Sequence, residues 1–179
     1  MSINDNGIVD TLKECPENGF RMLMMKYQEP VYWHIRRLVV SHDDAQDASQ
    51  ETFVRIYRSF GNYRGDCSLR SWIYRIATNE ALRIISKRRQ EVVSIESETT
   101  GVNLIQGDDY IDFDDKVAVK LQKAILSLPP KQQLAFNLRY YEELGFDEIA
   151  KVADSTSTSI KASYHVAKEK IIKYMNSND

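Results

Sequence analysis

Residues 144–175 read LGFDEIAKVADSTSTSIKASYHVAKEKIIKYM. Apolar residues form one helical face in the first part of this segment, and a second apolar set recurs at i, i+4, i+7 and i+11 in the last part. The Asp, Ser and Thr side chains at 154–157 compete for local backbone hydrogen bonds, which favours a turn and a new helix start. The spacing predicts a helix-turn-helix, whose second helix would fit the major groove of DNA. The apolar positions are Ile149, Ala150 and Ala153, followed by Ile160, Tyr164, Ala167 and Ile171.

The exposed face of the second helix bears on the choice between DNA binding and a plain helical hairpin, which the same periodicity would allow. Its residues are short or basic, and no acidic residue follows until Glu169. Such a face could approach phosphates and base edges without like-charge repulsion, which favours DNA binding. The residues on this face are Thr158, Ser159, Lys161, Ala162 and His165.

The charge of the chain is strongly segregated, although its formal net value is only −2. Residues 1–90 carry 14 Lys and Arg against 11 Asp and Glu, residues 91–116 carry 1 against 8, and residues 117–179 carry 9 against 7. Between Arg55 and Arg89 there are nine basic residues and two acidic ones. This local excess predicts a surface for a polyanion; a solvated basic helix face is the alternative.

Aromatic and basic side chains alternate in residues 63–79, YRGDCSLRSWIYRIATN. Proteins bind single-stranded nucleic acid in this way, with a basic surface along the backbone and aromatic rings for unstacked bases. Stacking contributes ~1–3 kcal/mol per base, which is comparable to the cost of unstacking one, so a captured base could hold a strand open. Core packing is the alternative for Trp72 and Tyr74, and Trp72 lies at a helical interval from Ile76.

Helical periodicity without strand-like alternation predicts an all-α fold of two small helical domains. Residues 1–90 would form the first domain and residues 116–179 the second. Residues 91–115 lack a sustained period and are rich in acidic residues, Ser, Thr and Gly, which predicts a flexible acidic linker.

Several helix boundaries are also predicted. In the first domain, Pro30 would kink or break a helix, and Asp43 or Asp44 would cap the next one, whose apolar positions, including Tyr57, mostly face inward. In the second domain, Pro130 would open a helix. The predicted helices span residues 18–40, 43–60, 69–89 and 116–128, with another from Pro130 onward.

Several classes of function are not expected from this sequence. No 18-residue apolar run and no N-terminal signal are present, so we expect a cytoplasmic chain without membrane insertion. Cys15 and Cys67 lie far apart without a CxxC or a His cluster, which fits a reducing compartment and argues against zinc. No arrangement typical of nucleophilic catalysis is present, so we expect no enzyme activity, no cofactor and no metal. The acidic runs at 108–115 lack the spacing and glycine of a calcium loop.

Two segments resemble bacterial RNA polymerase sigma factors of the extracytoplasmic-function class. Residues 43–90, DDAQDASQETFVRIYRSFGNYRGDCSLRSWIYRIATNEALRIISKRRQ, are similar to region 2 of that family, and residues 127–171, SLPPKQQLAFNLRYYEELGFDEIAKVADSTSTSIKASYHVAKEKI, to region 4. The two segments lie in the family's order and flank a variable linker. The resemblance implies a protein that binds core RNA polymerase at the β′ clamp and β flap. It further implies promoter-directed initiation through −35 recognition and −10 recognition and melting, and control by an anti-sigma factor.

The resemblance also implies roles for three sets of residues. Those that would dock on the β′ clamp helices are Asp44, Asp47, Gln50, Glu51 and Phe53. Those that would recognise and melt the −10 element are Tyr63, Arg64, Cys67, Ser68, Leu69, Trp72, Tyr74, Arg75 and Asn79, with Lys87, Arg88 and Arg89 near the upstream duplex. Those that would face the −35 element are Thr158, Ser159, Lys161, Ala162 and His165.

The first of these sets also has an interpretation that does not depend on the family. An exposed face of acids and amides beside a strongly basic helix is a directed docking surface. The alternative is a solvated face on which Asp44 and Asp47 only complement the helix dipole.

Two rival functions follow from the helix-turn-helix alone. One is a regulator that binds duplex DNA as a dimer without polymerase, and the other is a nuclease or recombinase with a helix-turn-helix domain. A regulator predicts tight binding of the free chain to a palindrome, whereas a sigma factor predicts specific binding only with core enzyme. The acidic linker could in addition fold back on the basic DNA-binding faces at low salt.

Overall fold

The computed structural model describes residues 3–39, 41–95 and 115–177, with residues 92–95 described by their backbone only. The regular elements in these ranges are all helical, as predicted, and the chain divides into two compact units, Met1–Val102 and Asn103–Asp179. The first unit contains α1 (Asp5–Glu14), α2 (Pro16–Val39), α3 (His42–Ser59), a 3₁₀ turn (Phe60–Asn62) and α4 (Leu69–Ile95). The second contains α5 (Lys116–Leu126), α6 (Pro130–Tyr140), α7 (Phe146–Val152) and α8 (Ser157–Asn176).

The core of the first unit forms around α2, which packs against α1, α3 and α4. Its apolar side chains recur at every fourth position, so they form one continuous stripe along the helix. Small residues on α3 and α4 let those helices approach the stripe closely. The buried side chains include Leu23, Tyr27, Val31 and Ile35 of α2, Ala45, Ala48 and Ile56 of α3, and Ile73, Ala77 and Ala81 of α4.

Four local features of the first unit differ from the sequence-based predictions. Helix α1 was not predicted, because Ile8 and Leu12 alone make its buried stripe. Helix α2 continues through Pro30, so of the predicted kink or break the break does not occur. The cap of α3 is Ser41, whose hydroxyl accepts a hydrogen bond from the amide of residue 44, and the two aspartates lie within the first turn. Helix α4 runs past residue 89 to residue 95, and residues 96–114 of the predicted linker lie outside the described residues.

Gly19 lies where α1 and α2 approach each other closely. A Cβ at this position would collide with the backbone nitrogen and Cα of Leu12. We expect Gly19→Ala to lower the free energy of unfolding by ~1–3 kcal/mol, since backbone atoms cannot move aside as a flexible side chain can.

Urea unfolding followed by tryptophan fluorescence measures this effect, because both tryptophans, Trp33 and Trp72, lie in the first unit. The matched control is Gly7→Ala, since a Cβ at that helical position has no atom within 4 Å. The control should raise the free energy of unfolding by ~0.5–1 kcal/mol. Equal effects of the two substitutions would contradict the close approach at Gly19.

The core of the second unit forms where α5 and α6 pack on α8, and α7 lies against both α6 and α8. Pro130 occupies the first turn of α6, as predicted, where its missing N–H costs no helical hydrogen bond. The contacts of the short α7 with α6 and α8 hold it against the long α8. The buried cluster consists of Ala124, Ile125, Leu128, Phe136, Ala167 and Ile171.

Candidate nucleic-acid and docking surfaces

The exposed side of α3 carries three of the five residues predicted to dock on polymerase. Asp47 and Gln50 are exposed, and Glu51 is half-exposed and accepts a 3.1 Å hydrogen bond from Nε of Arg55. Phe53 is only 6% exposed, so its side chain packs in the core. Little of the Phe53 side chain is therefore accessible to a partner in this structure.

Two apolar residues missed by the sequence analysis extend this side of α3. Val54 is 40% exposed and Tyr57 is 55% exposed, although Tyr57 was expected to face inward. Both follow Asp47 at helical spacing, so one face presents acids, an amide and an apolar patch together. The ring of Phe20 supports Tyr57 in an edge-to-face contact at 5.1 Å. We call this surface the docking face: Asp47, Gln50, Glu51, Val54 and Tyr57.

Three aromatic rings support the loop between α3 and α4. The rings of Phe60 and Tyr63 stack at 6.0 Å, and Trp72 lies 5.3 Å from Tyr63 and 6.3 Å from Phe60. Trp72 is half-buried, so it packs in this cluster and also keeps part of its surface accessible. The cluster gives the loop a fixed aromatic wall.

Hydrogen bonds fix the loop itself. The hydroxyl of Tyr63 donates a 2.8 Å hydrogen bond to the carbonyl of Cys67, and partial burial raises the pKa of this phenol. Gly65 has φ of +78°, a left-handed conformation that glycine adopts without strain. The hydroxyl of Ser68 accepts a 3.1 Å hydrogen bond from the amide of Ser71 at the start of α4. The small residues Cys67 and Ser68 thus lie in a short, braced loop beside exposed Arg64.

Helix α4 separates the predicted −10 residues into an exposed face and a core face. Arg75 and Asn79 are exposed and follow Trp72 at i+3 and i+7. Leu69 and Tyr74 are almost fully buried, so both side chains pack in the core, which is the alternative stated above for Tyr74. Nearer the end of the helix, the exposed basic residues are Lys87, Arg88 and Arg89.

Internal ion pairs reduce the basic charge that this helix offers to a polyanion. The carboxylate of Glu80 is 3% exposed and is contacted by Nε of Arg55 at 2.6 Å and Nε of Arg83 at 2.9 Å. Arg88 pairs with Asp44. The predicted local excess of positive charge is therefore smaller at the surface than in the sequence. Exposed Arg58, Arg64 and Arg89 contribute to it, whereas Lys87 lies 4.0 Å from Glu91.

The second unit contains the predicted helix-turn-helix. Helix α7 ends at Val152, residues 153–156 turn, and Asp154 adopts the left-handed conformation with φ of 49°. The Thr156 hydroxyl then caps α8 by accepting a 3.2 Å hydrogen bond from the amide of Ser159. Side-chain capping by turn residues thus sets the start of the second helix, as the sequence chemistry predicts.

Four of the five predicted −35 residues share the exposed face of α8. Thr158, Lys161, Ala162 and His165 are exposed and follow i, i+3, i+4 and i+7 spacing. Ser159 is half-buried, and its hydroxyl accepts a 2.7 Å hydrogen bond from Nζ of Lys131 on α6. We call the four exposed residues the recognition face; Ser159 instead links α8 to α6.

Aromatic contacts hold this helix on its support. The ring of Tyr164 lies 6.1 Å from Phe136 and 5.5 Å from Phe146, and His165 lies 6.4 Å from Phe146. Arg139 places its guanidinium 5.1 Å from the Phe146 ring and donates a 3.0 Å hydrogen bond to the Leu144 carbonyl. The rotation of α8, and with it the direction of the recognition face, is thereby fixed.

Neither membrane-spanning helices nor metal clusters occur in the part of the chain that the structure describes. No helix there combines the length and apolar character needed to cross a bilayer. No group of three or more His, Cys, Asp or Glu side chains there is arranged to hold a metal ion. The acidic runs that precede Asp115 lie outside the described residues.

Two family models match the chain, in the order that the two units follow. The model described as Sigma-70 region 2 matches residues 23–91, and that described as Sigma-70, region 4 matches residues 118–171. The first match contains the docking face, the loop and most of α4. The second contains the helix-turn-helix.

Related proteins match over nearly the whole chain. The RNA polymerase sigma-H factor of Pseudomonas aeruginosa is 28% identical over 178 residues, covering 94% of this chain and 92% of the relative. The ECF RNA polymerase sigma-E factor of Escherichia coli K12 is 27% identical, with 94% and 93% covered.

Two solved structures share the fold with a TM-score of 0.72 each. The sigma factor RpoE, in complex with the anti-sigma factor NepR from Bartonella quintana, is 19% identical, with 89% of this chain and 98% of that chain covered. CnrH, in complex with the cytosolic domain of CnrY, is 14% identical, with 98% and 99% covered.

The chain belongs to the extracytoplasmic-function class of RNA polymerase sigma factors. It is a subunit that binds core RNA polymerase and directs promoter-specific initiation, and its family is not enzymatic in the catalytic sense. The rival interpretation, a regulator that acts without polymerase, is not favoured by these matches.

Proposed function

We propose that the docking face of α3 binds the β′ clamp of core RNA polymerase. The separation of charge within the first unit carries this proposal: the acids Asp47 and Glu51 lie in the first part of α3, whereas most exposed bases lie from the last turns of α3 through the loop and along α4. An acidic face with an apolar patch suits a basic partner surface and orients the encounter. Val54 and Tyr57 would supply the apolar contact area. The charges of Asp47 and Glu51 would orient the polymerase surface as it approaches.

The braced loop and the exposed side of α4 would bind the −10 element. The aromatic wall formed by Phe60, Tyr63 and Trp72 offers a surface on which an unstacked base can rest. Exposed Arg64 and Arg75 are placed to neutralise the phosphates of the opened strand. Buried Leu69 and Tyr74 would hold the loop and helix in position.

The recognition face of α8 would read the −35 element in the major groove. Lys161 supplies the positive charge of this face, and Ala162 is small enough to allow close approach to a base edge. In this proposal residues 1–90 form the polymerase and −10 domain, residues 91–115 the linker and residues 116–179 the −35 domain. The last domain would also contact the β flap.

Two further assignments accompany this function. We infer that an anti-sigma factor binds the chain, since both structural neighbours were solved in complex with partners and one of these is named an anti-sigma factor. We also place the chain in the cytoplasm, because sigma factors act on RNA polymerase. A partner pull-down from cells that express the tagged chain tests the first assignment.

Charge reversal on the docking face tests the polymerase assignment. We expect Asp47→Arg to weaken the affinity for purified core RNA polymerase of the host bacterium about tenfold, without loss of helicity, since the side chain is exposed. The affinity is measured by competition with labelled wild-type chain, and helicity by circular dichroism.

The matched control for this test is Asp10→Arg. It makes the same charge change at an exposed position of α1 in the same unit. The control should retain wild-type affinity for core polymerase. Unchanged affinity of Asp47→Arg would contradict the docking assignment, and an equal loss in both variants would show a general charge effect.

A further inference from the structure

Two groups of ion pairs join α3 to α4, and they lie on either side of the acidic part of the docking face. At one end, Nη2 of Arg88 donates a 2.7 Å hydrogen bond to Oδ1 of Asp44, and Nε of Arg88 contacts Oδ2. At the other, buried Glu80 is contacted by Arg55 from α3 and Arg83 from α4. Residues 47, 50 and 51 lie between these two points along α3.

The Asp44 carboxylate is already engaged within the chain. Its side chain is 13% exposed, and both of its oxygens face the guanidinium of a single arginine. Two contacts between a planar guanidinium and a carboxylate fix the relative orientation of the two groups as well as the distance between them. A polymerase cation would have to displace Arg88 before it could use the same oxygens.

The Arg88 guanidinium is engaged in the same way. Its hydrogen bond to Asp44 raises the pKa of this side chain, and the paired charge attracts a DNA phosphate less than an unpaired one does. Lys87 and Arg89, on either side, do not contact Asp44 in the structure. The basic end of α4 therefore contains Arg88 turned to α3, Lys87 within 4.0 Å of Glu91 on the same helix, and exposed Arg89.

We infer that Asp44 and Arg88 are positioning residues for polymerase docking, and not contacts with polymerase or DNA as their place in the family pattern implies. Their ion pair, together with Arg55–Glu80–Arg83, fixes the rotation of α3 on α4 and thereby the direction of the docking face. This inference rests on the proposed docking function of α3. It makes the predicted core-binding and −10-binding sets structurally dependent on each other.

A charge swap distinguishes positioning from direct contact. Asp44→Arg and Arg88→Asp are each expected to weaken the affinity for core polymerase about tenfold, because each leaves like charges facing each other between α3 and α4. The double variant Asp44→Arg/Arg88→Asp restores an opposite-charge pair, and its affinity should return to within about threefold of wild type. Competition for purified host core polymerase measures all three, and circular dichroism verifies that each variant is folded.

The matched control combines Arg88→Asp with Asp47→Arg. Asp47 lies one turn from Asp44 on the exposed side and makes no ion pair within the described residues, so this double variant should bind no better than either single one. If Asp44 contacts polymerase directly, the swap stays as weak as Asp44→Arg, and Arg88→Asp alone binds like wild type; either result overturns the inference. If Asp47→Arg also binds like wild type, the docking face itself is wrong.

Discussion

Lys161→Glu should lower promoter-dependent transcription about 100-fold or more while leaving the affinity for core polymerase unchanged. Lys161 is the one Lys or Arg on the recognition face, where Thr158 and Ala162 are its neutral neighbours. The substitution removes a contact of ~1–3 kcal/mol and adds repulsion against phosphates or base acceptors. The effect should be large because the substitution reverses the charge of the one Lys among the four residues of this face.

Run-off transcription with reconstituted holoenzyme measures this effect, using genomic fragments from which the wild-type chain directs transcripts. The matched control is Lys173→Glu, the same charge change at an exposed position three turns later on α8. It should keep most of the wild-type activity and the same core affinity. Transcription by Lys161→Glu at the level of the control would show that α8 does not present Lys161 to the −35 element.

The helix-turn-helix is the part of the fold that local sequence predicts best. Its two apolar stripes and the Asp-Ser-Thr turn each depend on residues a few positions apart, and the Thr156 cap adds a hydrogen bond within one turn. The same holds for Pro130 at the start of α6. Helix α1 could not be found in this way, because two buried residues in ten give too weak a period.

The candidate sites were predicted less completely, because exposure depends on contacts between distant segments. The family pattern places Phe53, Leu69 and Tyr74 in binding sets, yet α2, α3 and α4 pack around them and bury them. Val54 and Tyr57 keep 40% and 55% of their surface exposed, although Phe20 of α2 contacts the Tyr57 ring. Helical periodicity favours an inward position for Phe53 and leaves core packing open for Tyr74, but no local pattern indicates that Val54 and Tyr57 stay exposed.

The ion pair of Asp44 and Arg88 shows that surface charge, like exposure, depends on contacts between distant segments. The two residues are 44 positions apart, and their pairing follows from the antiparallel packing of α3 and α4. Counting charges along the sequence therefore overestimates the basic surface of α4. A pattern of residue types indicates which helix carries a function, and the packing decides which of its side chains can perform it.

Acidification should destabilise the first unit through His34, which lies fully buried between α2 and α4. Its Nε2 is 2.8 Å from the Thr78 hydroxyl, and its ring lies 5.1 Å from that of Tyr74. Burial, and after it the charge of Arg37, lowers the pKa of His34 from 6.5 to about 3. The folded unit therefore holds the neutral ring, whereas the unfolded chain takes up a proton below pH 6.5.

The sign and size of the effect follow from this difference in proton uptake. Stability is highest above pH 6.5 and is lost as the pH falls from 6.5 toward 3, at up to ~1.4 kcal/mol per pH unit. Between pH 7 and pH 5 the expected loss in the free energy of unfolding is ~2 kcal/mol. Urea unfolding followed by the fluorescence of Trp33 and Trp72 reports on this unit, which contains both tryptophans.

The decisive comparison is with His34→Gln, which keeps a polar group near Thr78 but has no titrating ring. At pH 7 this variant should have a lower free energy of unfolding than wild type. Between pH 7 and pH 5 its free energy of unfolding should fall by ~2 kcal/mol less than that of wild type, so the two values converge. Carboxylates that titrate in the same range are common to both chains and cancel. Equal pH slopes for wild type and His34→Gln would show that His34 does not remain neutral in the folded unit.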